Sequence, residues 1–103
     1  MNIPKVLNMN SPRTNHAVAN QFLIYTQDGV YFQSYQTVIA FMPSAFYMNN
    51  HKDEFKYMKV FLDKNSWDYS RTKGKYRNIF LNDTKNGIQT KIKSGYYVFV
   101  DLN

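Results

Sequence analysis

The dipeptide Asp28-Gly29 constrains the fold of this chain more than any other feature, because it separates two β-prone runs. The first run is Asn-Gln-Phe-Leu-Ile-Tyr-Thr at residues 20–26, and the second is Val-Tyr-Phe-Gln-Ser-Tyr at residues 30–35. Asp-Gly between such runs is a strong signal for a β-hairpin, since both central residues of the favoured turn need a positive φ angle. We therefore predict a hairpin of two antiparallel strands here.

The segments on either side of the hairpin carry weaker signals. Residues 1–15 show no periodicity, so they predict an irregular arm. Residues 37–42 are apolar and predict either a further strand or a bend that continues the second one, ended by Pro43. Residues 44–57 fit neither the helical nor the strand period, so they predict an extended loop or a loose hairpin. A short strand is predicted at 59–63.

Two short helices are predicted after that strand. Asp68 or Ser70 can cap a first helix that continues to about Leu81. A second helix is predicted over 84–93, with Asp83 as its cap and Ser94-Gly95 as its stop. Since the first helix is predicted to be amphipathic, its apolar third of the circumference faces the core. That stripe consists of Thr72, Tyr76, Ile79 and Phe80, and the remaining arc consists of Arg71, Lys73, Lys75, Arg77 and Asn78.

The last run, residues 96–102, is apolar and predicts a C-terminal strand that pairs into the sheet, because its exposed edge would otherwise favour aggregation. The predicted fold class is α+β, with an antiparallel sheet of four to five strands and two short helices inserted before the C-terminal strand. A length of 103 residues fits one domain over 1–103, and 44% hydrophobic residues are enough for a core.

Composition also limits location and chemistry. The chain has no cysteine, which excludes disulfides and thiolate chemistry and favours an intracellular, cytoplasmic setting. It has no apolar run of about 18 residues, so we expect no membrane partner. His16 and His51 do not form a ligand-spaced pair, and Asp63 and Asp68 have simpler roles as a strand end and a helix cap. We predict a non-enzymatic protein without a cofactor or metal.

Several strings of the sequence form a specific pattern. They are Phe32-Gln33-Ser34-Tyr35, Leu62-Asp63-Lys64-Asn65-Ser66-Trp67-Asp68-Tyr69-Ser70-Arg71-Thr72, Lys75-Tyr76-Arg77-Asn78-Ile79-Phe80-Leu81, Lys91-Ile92-Lys93-Ser94-Gly95 and the ending Asp101-Leu102-Asn103. The pattern resembles a family of small proteins from Gram-positive bacteria, their phages and mobile elements that has no assigned activity. The resemblance runs from about Ser11 to the end, and it implies a phage or mobile-element accessory protein that acts inside a bacterium.

The positive charge is concentrated in one segment. Residues 1–63 hold five basic and four acidic side chains, whereas residues 64–93 hold eight basic and two acidic ones, which accounts for most of the net charge of +6. Cations grouped on one surface bind polyanions, and aromatic rings stack on the bases of single strands. The candidate nucleic-acid-binding residues are Arg71, Lys73, Lys75, Arg77, Lys91, Lys93, Tyr31, Tyr35 and Trp67.

Each of these features also has a structural interpretation. The basic arc can be a solvated helix face, Tyr31 and Tyr35 can be cross-strand partners that only stabilise the sheet, and Trp67 can be a core anchor. Two functional hypotheses follow. The first is a non-catalytic protein that binds nucleic acid, single-stranded rather than duplex because no known groove-reading motif occurs. The second is an inhibitor or adaptor that occupies an acidic surface of a host protein. Oligomeric state is not predicted.

Overall fold

The computed structural model describes residues 4–51, 59–68 and 70–103, and within these it leaves out the side chains of residues 71–73. The described residues form six strands and three helices in an α+β arrangement. The strands lie in the sheet in chain order. In chain order the elements are β1 Lys5–Asn10, β2 Ala17–Tyr25, β3 Gly29–Ser34, β4 Thr37–Pro43, α1 Ala45–Asn50, β5 Val60–Asp63, α2 Arg71–Leu81, α3 Lys85–Ser94 and β6 Tyr97–Val100.

The sheet is mixed rather than antiparallel, and it has more strands than the four to five predicted. Strands β1 to β5 pair antiparallel with their neighbours, whereas β6 pairs parallel to β5, with Val60 opposite Tyr97. Parallel neighbours need a crossover connection of a dozen or more residues. Helices α2 and α3 provide that connection, which explains why both precede the C-terminal strand, as predicted.

Residues 5–10 form a strand and not part of the irregular arm predicted for 1–15, of which residues 1–3 lie outside the described residues. Strand β1 pairs along β2 from Lys5 opposite Tyr25 to Asn8 opposite Phe22, with an irregularity before Asn10. Only Met9 of this strand is buried. A strand with only one buried side chain shows no alternation of buried and exposed residues from which its sequence could predict it. Its formation depends on pairing with the longer strand β2.

The predicted hairpin is confirmed as β2 and β3, but its turn lies one residue earlier than Asp28-Gly29. Thr26 and Gly29 close the turn with reciprocal backbone hydrogen bonds of 2.8 and 3.3 Å, which leaves Gln27 and Asp28 at its centre. Gly29 has a φ of +148°, and a Cβ atom there would collide with the carbonyl oxygen of Met42 on β4. Glycine is therefore required at this position by the close approach of the neighbouring strand β4.

The segment after the hairpin is more regular than its sequence suggests. A two-residue turn at Tyr35 and Gln36, with φ of +55° at Tyr35, separates β3 from β4, so residues 37–42 belong to a separate strand. The loop predicted for 44–57 begins instead with helix α1, whose first turn is capped by Ser44 Oγ accepting from the Tyr47 N–H at 3.1 Å. Residues 52–58 lie outside the described residues.

Both predicted C-terminal helices are confirmed, with changes at their ends. Helix α2 begins at Arg71, so Ser70 and not Asp68 occupies the N-cap position, and the Ser70 carbonyl accepts from the Gly74 N–H at 2.9 Å. The N-cap of α3 is Thr84 rather than Asp83, since Thr84 Oγ1 accepts from the Gly87 N–H at 3.0 Å. The C-cap at Gly95, in the left-handed conformation, is as predicted.

Both faces of the sheet are apolar along its centre. Because successive side chains of a strand point to opposite faces, two adjacent rows of directly opposed residues cross all six strands. The row that faces α2 and α3 contains Leu7, Leu23, Phe32, Ala40, Leu62 and Phe99. The row on the other face contains Val6, Ile24, Tyr31, Phe41, Phe61 and Val98. The helices supply Tyr76, Leu81 and Ile88 to the core on the first face.

The helices of the described residues include none with the length and apolar character that crossing a bilayer requires.

Substituting two isoleucines tests where the core lies. Ile88 on α3 is 0% exposed, whereas Ile79 on α2, which the helical wheel placed in the buried stripe, is 42% exposed. We expect Ile88→Ala to lower the free energy of unfolding by about 2–5 kcal/mol because it leaves a cavity. Ile79→Ala is expected to cost less than about 1 kcal/mol. Urea denaturation followed by far-UV circular dichroism measures both, and equal losses would contradict this packing.

Candidate nucleic-acid interface

Arg77 is buried, although the helical wheel placed it on the solvent face of α2. Its side chain is only 2% exposed. Nη1 donates to the carbonyl oxygen of Trp67 at 2.6 Å and to Oδ1 of Asp68 at 3.1 Å. Nε and Nη2 both donate to Oδ1 of Asn78, at 3.2 and 3.0 Å. The guanidinium also lies 5.2 Å from the centre of the Trp67 ring. Arg77 therefore acts within the fold and presents no free cation at the surface.

Asp68 joins the two helices through ion pairs. Besides Arg77, its carboxylate pairs with Lys85 of α3, with Oδ2 3.1 Å from Nζ. Burial acts to raise the pKa of Asp68, but the hydrogen bonds from Arg77 and Lys85 outweigh it and hold the pKa below its ordinary value. Asp68, which the sequence suggested as a helix cap, is instead the shared anion of two cations.

Lys91 is also bound within the fold. Its Nζ lies 2.6 Å from Oδ2 of Asp83, and the same oxygen accepts from the Tyr97 hydroxyl at 3.0 Å. Hydrogen bonding to Asp83 raises the pKa of Lys91, and burial together with Asp83 raises the pKa of Tyr97 to about 12. This cluster ties α3 to β6, so Lys91 has a structural role beside any contact with a ligand.

Lys75 and Lys93 are the predicted cations that stay exposed. Nζ of Lys75 lies 5.5 Å from the centre of the Tyr76 ring, and Lys93 lies in the last turn of α3. Neither has an ion-pair partner among residues 4–51, 59–68 and 70–103. Arg71 and Lys73 contribute their backbone to the first turn of α2, and their side chains lie outside the described residues.

A surface cavity of about 530 Å³ opens between α2 and α3. Its lining consists of Asp68, Ser70, Gly74, Lys75, Arg77, Asn78 and Lys85. Three cations and one carboxylate give this lining a formal charge of +2. We call these residues the basic cavity.

Lys85 is the cation of the cavity lining that was not among the binding residues predicted from the sequence. It lies at the start of α3, which is separated from Lys75 by a turn in the chain. Nothing in the residue spacing indicates that α3 brings Lys85 beside α2. The carboxylate of Asp68 holds it there, and that ion pair exists only in the folded chain.

The predicted aromatic residues do not form one platform. Tyr31 is half-buried and stacks on Phe41 with ring centres 4.3 Å apart. Tyr35 is 55% exposed, but it lies in the turn after β3, so the strand alternation does not extend to it. Trp67 packs against the core, with its ring centre 5.6 Å from that of Phe99 and with Arg77 over the ring. These contacts favour the core-anchor interpretation of Trp67.

The other residues considered for catalysis have structural contacts. Asp63 accepts from Ser66 Oγ at 2.5 Å and from the Leu102 N–H at 3.0 Å. Burial acts to raise its pKa, but these hydrogen bonds lower it. Nδ1 of His51 lies 2.8 Å from the carbonyl oxygen of Tyr47. Across the described ranges, no three histidine, cysteine, aspartate or glutamate side chains form a metal-binding group.

Comparisons of the chain with protein-family models, with curated proteins and with solved structures found no match. The phage or mobile-element context therefore stays a prediction from the resemblance.

Two matched substitutions on α2 test the role of Arg77. Arg77→Met and Lys75→Met each remove one positive charge from the same helix. We expect Arg77→Met to lower the free energy of unfolding by about 2 kcal/mol, because the carbonyl of Trp67 and the side chain of Asn78 lose their donor. Lys75→Met is expected to change it by less than about 0.5 kcal/mol. Urea denaturation followed by Trp67 emission measures both, and an Arg77→Met protein as stable as the wild type would contradict the structural role.

Acid should destabilise the protein through its bound carboxylates. The folded-state pKa values of Asp63, Asp68 and Asp83 are lowered, so their contribution to stability is complete above the unfolded-state pKa of about 3.9. It is lost as the pH falls below that value and through the lower folded-state values. We expect Asp68→Asn to weaken this pH dependence, because it removes one of the three carboxylates.

Asp28→Asn is the matched control, since Asp28 is exposed in the β2–β3 turn and has no ion-pair partner within the described part of the chain. Urea midpoints measured from pH 7 down to about pH 2.5 compare the three proteins. If Asp68→Asn and the wild type lost stability along the same curve, the ion pairs of Asp68 would not contribute as described.

Proposed function

We propose that the protein is a non-catalytic accessory protein that binds nucleic acid, and that the basic cavity contacts the phosphate backbone. The observation that carries the proposal is the formal charge of +2 on a concave lining, with Lys75 and Lys85 exposed at its rim. Phosphates neutralised by such cations release condensed counterions, which favours binding at low salt. The side-chain NH2 group of Asn78 in the lining adds a hydrogen-bond donor for phosphate oxygens.

The contact surface differs from the one that the sequence suggested. Arg77 lines the cavity but is paired with Asp68, and Lys91 is paired with Asp83. Lys75, Lys85 and Lys93 are the described cations of α2 and α3 that reach solvent. The proposal does not depend on base stacking, because Tyr31 lies in the apolar row and Tyr35 lies in a turn.

A double substitution in the basic cavity tests the proposal. Fluorescence anisotropy of labelled oligonucleotides at several salt concentrations measures the affinity. We expect Lys75→Ala with Lys85→Ala to weaken binding about ten-fold or more at low salt. It should also reduce the slope of log K against log salt by about 1.4 for single strands or about 1.8 for duplex, the values for two lost phosphate contacts.

Lys5→Ala with Arg13→Ala is the matched control, since it removes the same charge from exposed positions on β1 and the turn after it. It should change the affinity much less. If wild-type protein did not bind at low salt, or if the two double variants behaved alike, the basic cavity would not be a phosphate-binding surface.

A protein partner is the second candidate function. An apolar groove of about 290 Å³ lies between the sheet and the C-terminal half of α2, lined by Met9, Leu23, Tyr25, Val30, Met42, Ile79 and Phe80. Tyr25 and Ile79 are exposed there, and exposed apolar patches on small proteins mark interaction sites. If nucleic acid does not bind, a pull-down from host lysate with wild type and with Ile79→Glu becomes the test of this candidate.

A further inference from the structure

The solvent face of α3 carries a single stripe of polar side chains. The stripe has five members, and the other four follow the first at spacings of 1, 4, 5 and 8 residues. At 3.6 residues per turn these spacings place all five within an arc of about 140°. All five are exposed, and they are Lys85, Asn86, Gln89, Thr90 and Lys93. Ile88 and Ile92 lie on the other side of the helix and pack into the core.

The chemistry of this stripe suits the edges of base pairs. Asparagine and glutamine pair in a bidentate way with adenine, and lysine donates to the acceptors of guanine. The hydroxyl of Thr90 donates to the carbonyl of Asn86 at 3.0 Å. Its methyl group can therefore make an apolar contact with the methyl group of a thymine. Helix α3 contains no acidic residue that would repel a phosphate backbone.

Helices α2 and α3 are consecutive, and the turn between them has the short length found in helix-turn-helix units. The two helices have 11 and 10 residues, and only residues 82–84 separate them. Asn82 directly follows α2 and has a φ of +51°, the left-handed conformation that commonly ends a helix. In such pairs the second helix enters the major groove, and the groove of B-form DNA is wide enough to admit it.

The stripe and the basic cavity are continuous. Lys85 belongs to both, because it begins α3 and also lines the cavity opposite Lys75 of α2. A duplex whose phosphates lie against the cavity would therefore place its groove beside Asn86, the next residue of the stripe. Positioning by phosphates and reading of bases by an adjacent helix are the two parts of specific recognition.

We propose that α3 is a recognition helix for the major groove of double-stranded DNA, with Asn86 and Gln89 contacting base edges. The proposal rests on the proposed function, which supplies the phosphate contacts. The ligand class is DNA, because the major groove of an A-form RNA helix is too deep and narrow for side chains to read. This class differs from the single strands that the sequence favoured.

Selection from two pools tests the proposal. One pool is duplex DNA with a randomised central segment, and the other is the same library as single strands. Wild-type protein should enrich a shared base pattern from the duplex pool. In the double variant Asn86→Ala with Gln89→Ala, the ratio of affinities for enriched over unselected duplex should fall about ten-fold or more. The slope of its affinity against salt should stay unchanged. A thermal melt checks that this exposed double variant folds.

Gln36→Ala with Asn50→Ala is the matched control, because it removes the same two side-chain types from exposed positions away from α3. This control should keep the preference of the wild type. Salt-dependent binding without an enriched pattern, or tighter binding of the single-stranded pool, would overturn the recognition helix and leave the phosphate surface standing. If the double variant Asn86→Ala with Gln89→Ala kept the preference of the wild type, the recognition helix would also be overturned and the phosphate surface would remain. Absence of binding to either pool at low salt would overturn both.

Discussion

The guanidinium of Arg77 is the charge around which the C-terminal half of the chain is arranged. A buried cation is tolerated only where its donors have acceptors, and Arg77 finds them in the carbonyl of Trp67, the carboxylate of Asp68 and the side chain of Asn78. These contacts tie the turn after β5 to α2. Since Asp68 also pairs with Lys85, the same anion holds α3 beside α2. The position of the basic cavity follows from this arrangement.

The charge on the surface is consequently smaller and more localised than the sequence suggests. Of the cations in the basic segment, Arg77 is used inside the fold and Lys91 is bound to Asp83. Lys75, Lys85 and Lys93 reach solvent on the two helices, where the proposed phosphate contact and the polar stripe of α3 adjoin. Folding thus converts an even run of basic residues into a cavity and a helix face with different chemistry.

The elements that could be predicted from the sequence are those whose signals are local. The hairpin at Asp28-Gly29 and the two C-terminal helices, with the stop at Gly95, depend on turn residues, caps and periodicity. Strand β1 could not be predicted, because only Met9 is buried in it and its pairing comes from β2. The parallel direction of β6 is likewise set by the helices between it and β5. Tyr35 lies in a turn and not in the sheet, because β3 ends at Ser34.

The sequence by itself determined the α+β class, the order of most elements and the concentration of positive charge after residue 63, since composition and short-range periodicity carry that information. Only the tertiary structure decided which cations are free. A helical wheel separates apolar from polar residues, and it cannot foresee that Trp67 and Asp68 of the preceding turn bury and pair one arginine on the polar side. Arg77 and Lys75 are equivalent in sequence terms, and the ion pair with Asp68 makes one a support of the fold and leaves the other available to a ligand.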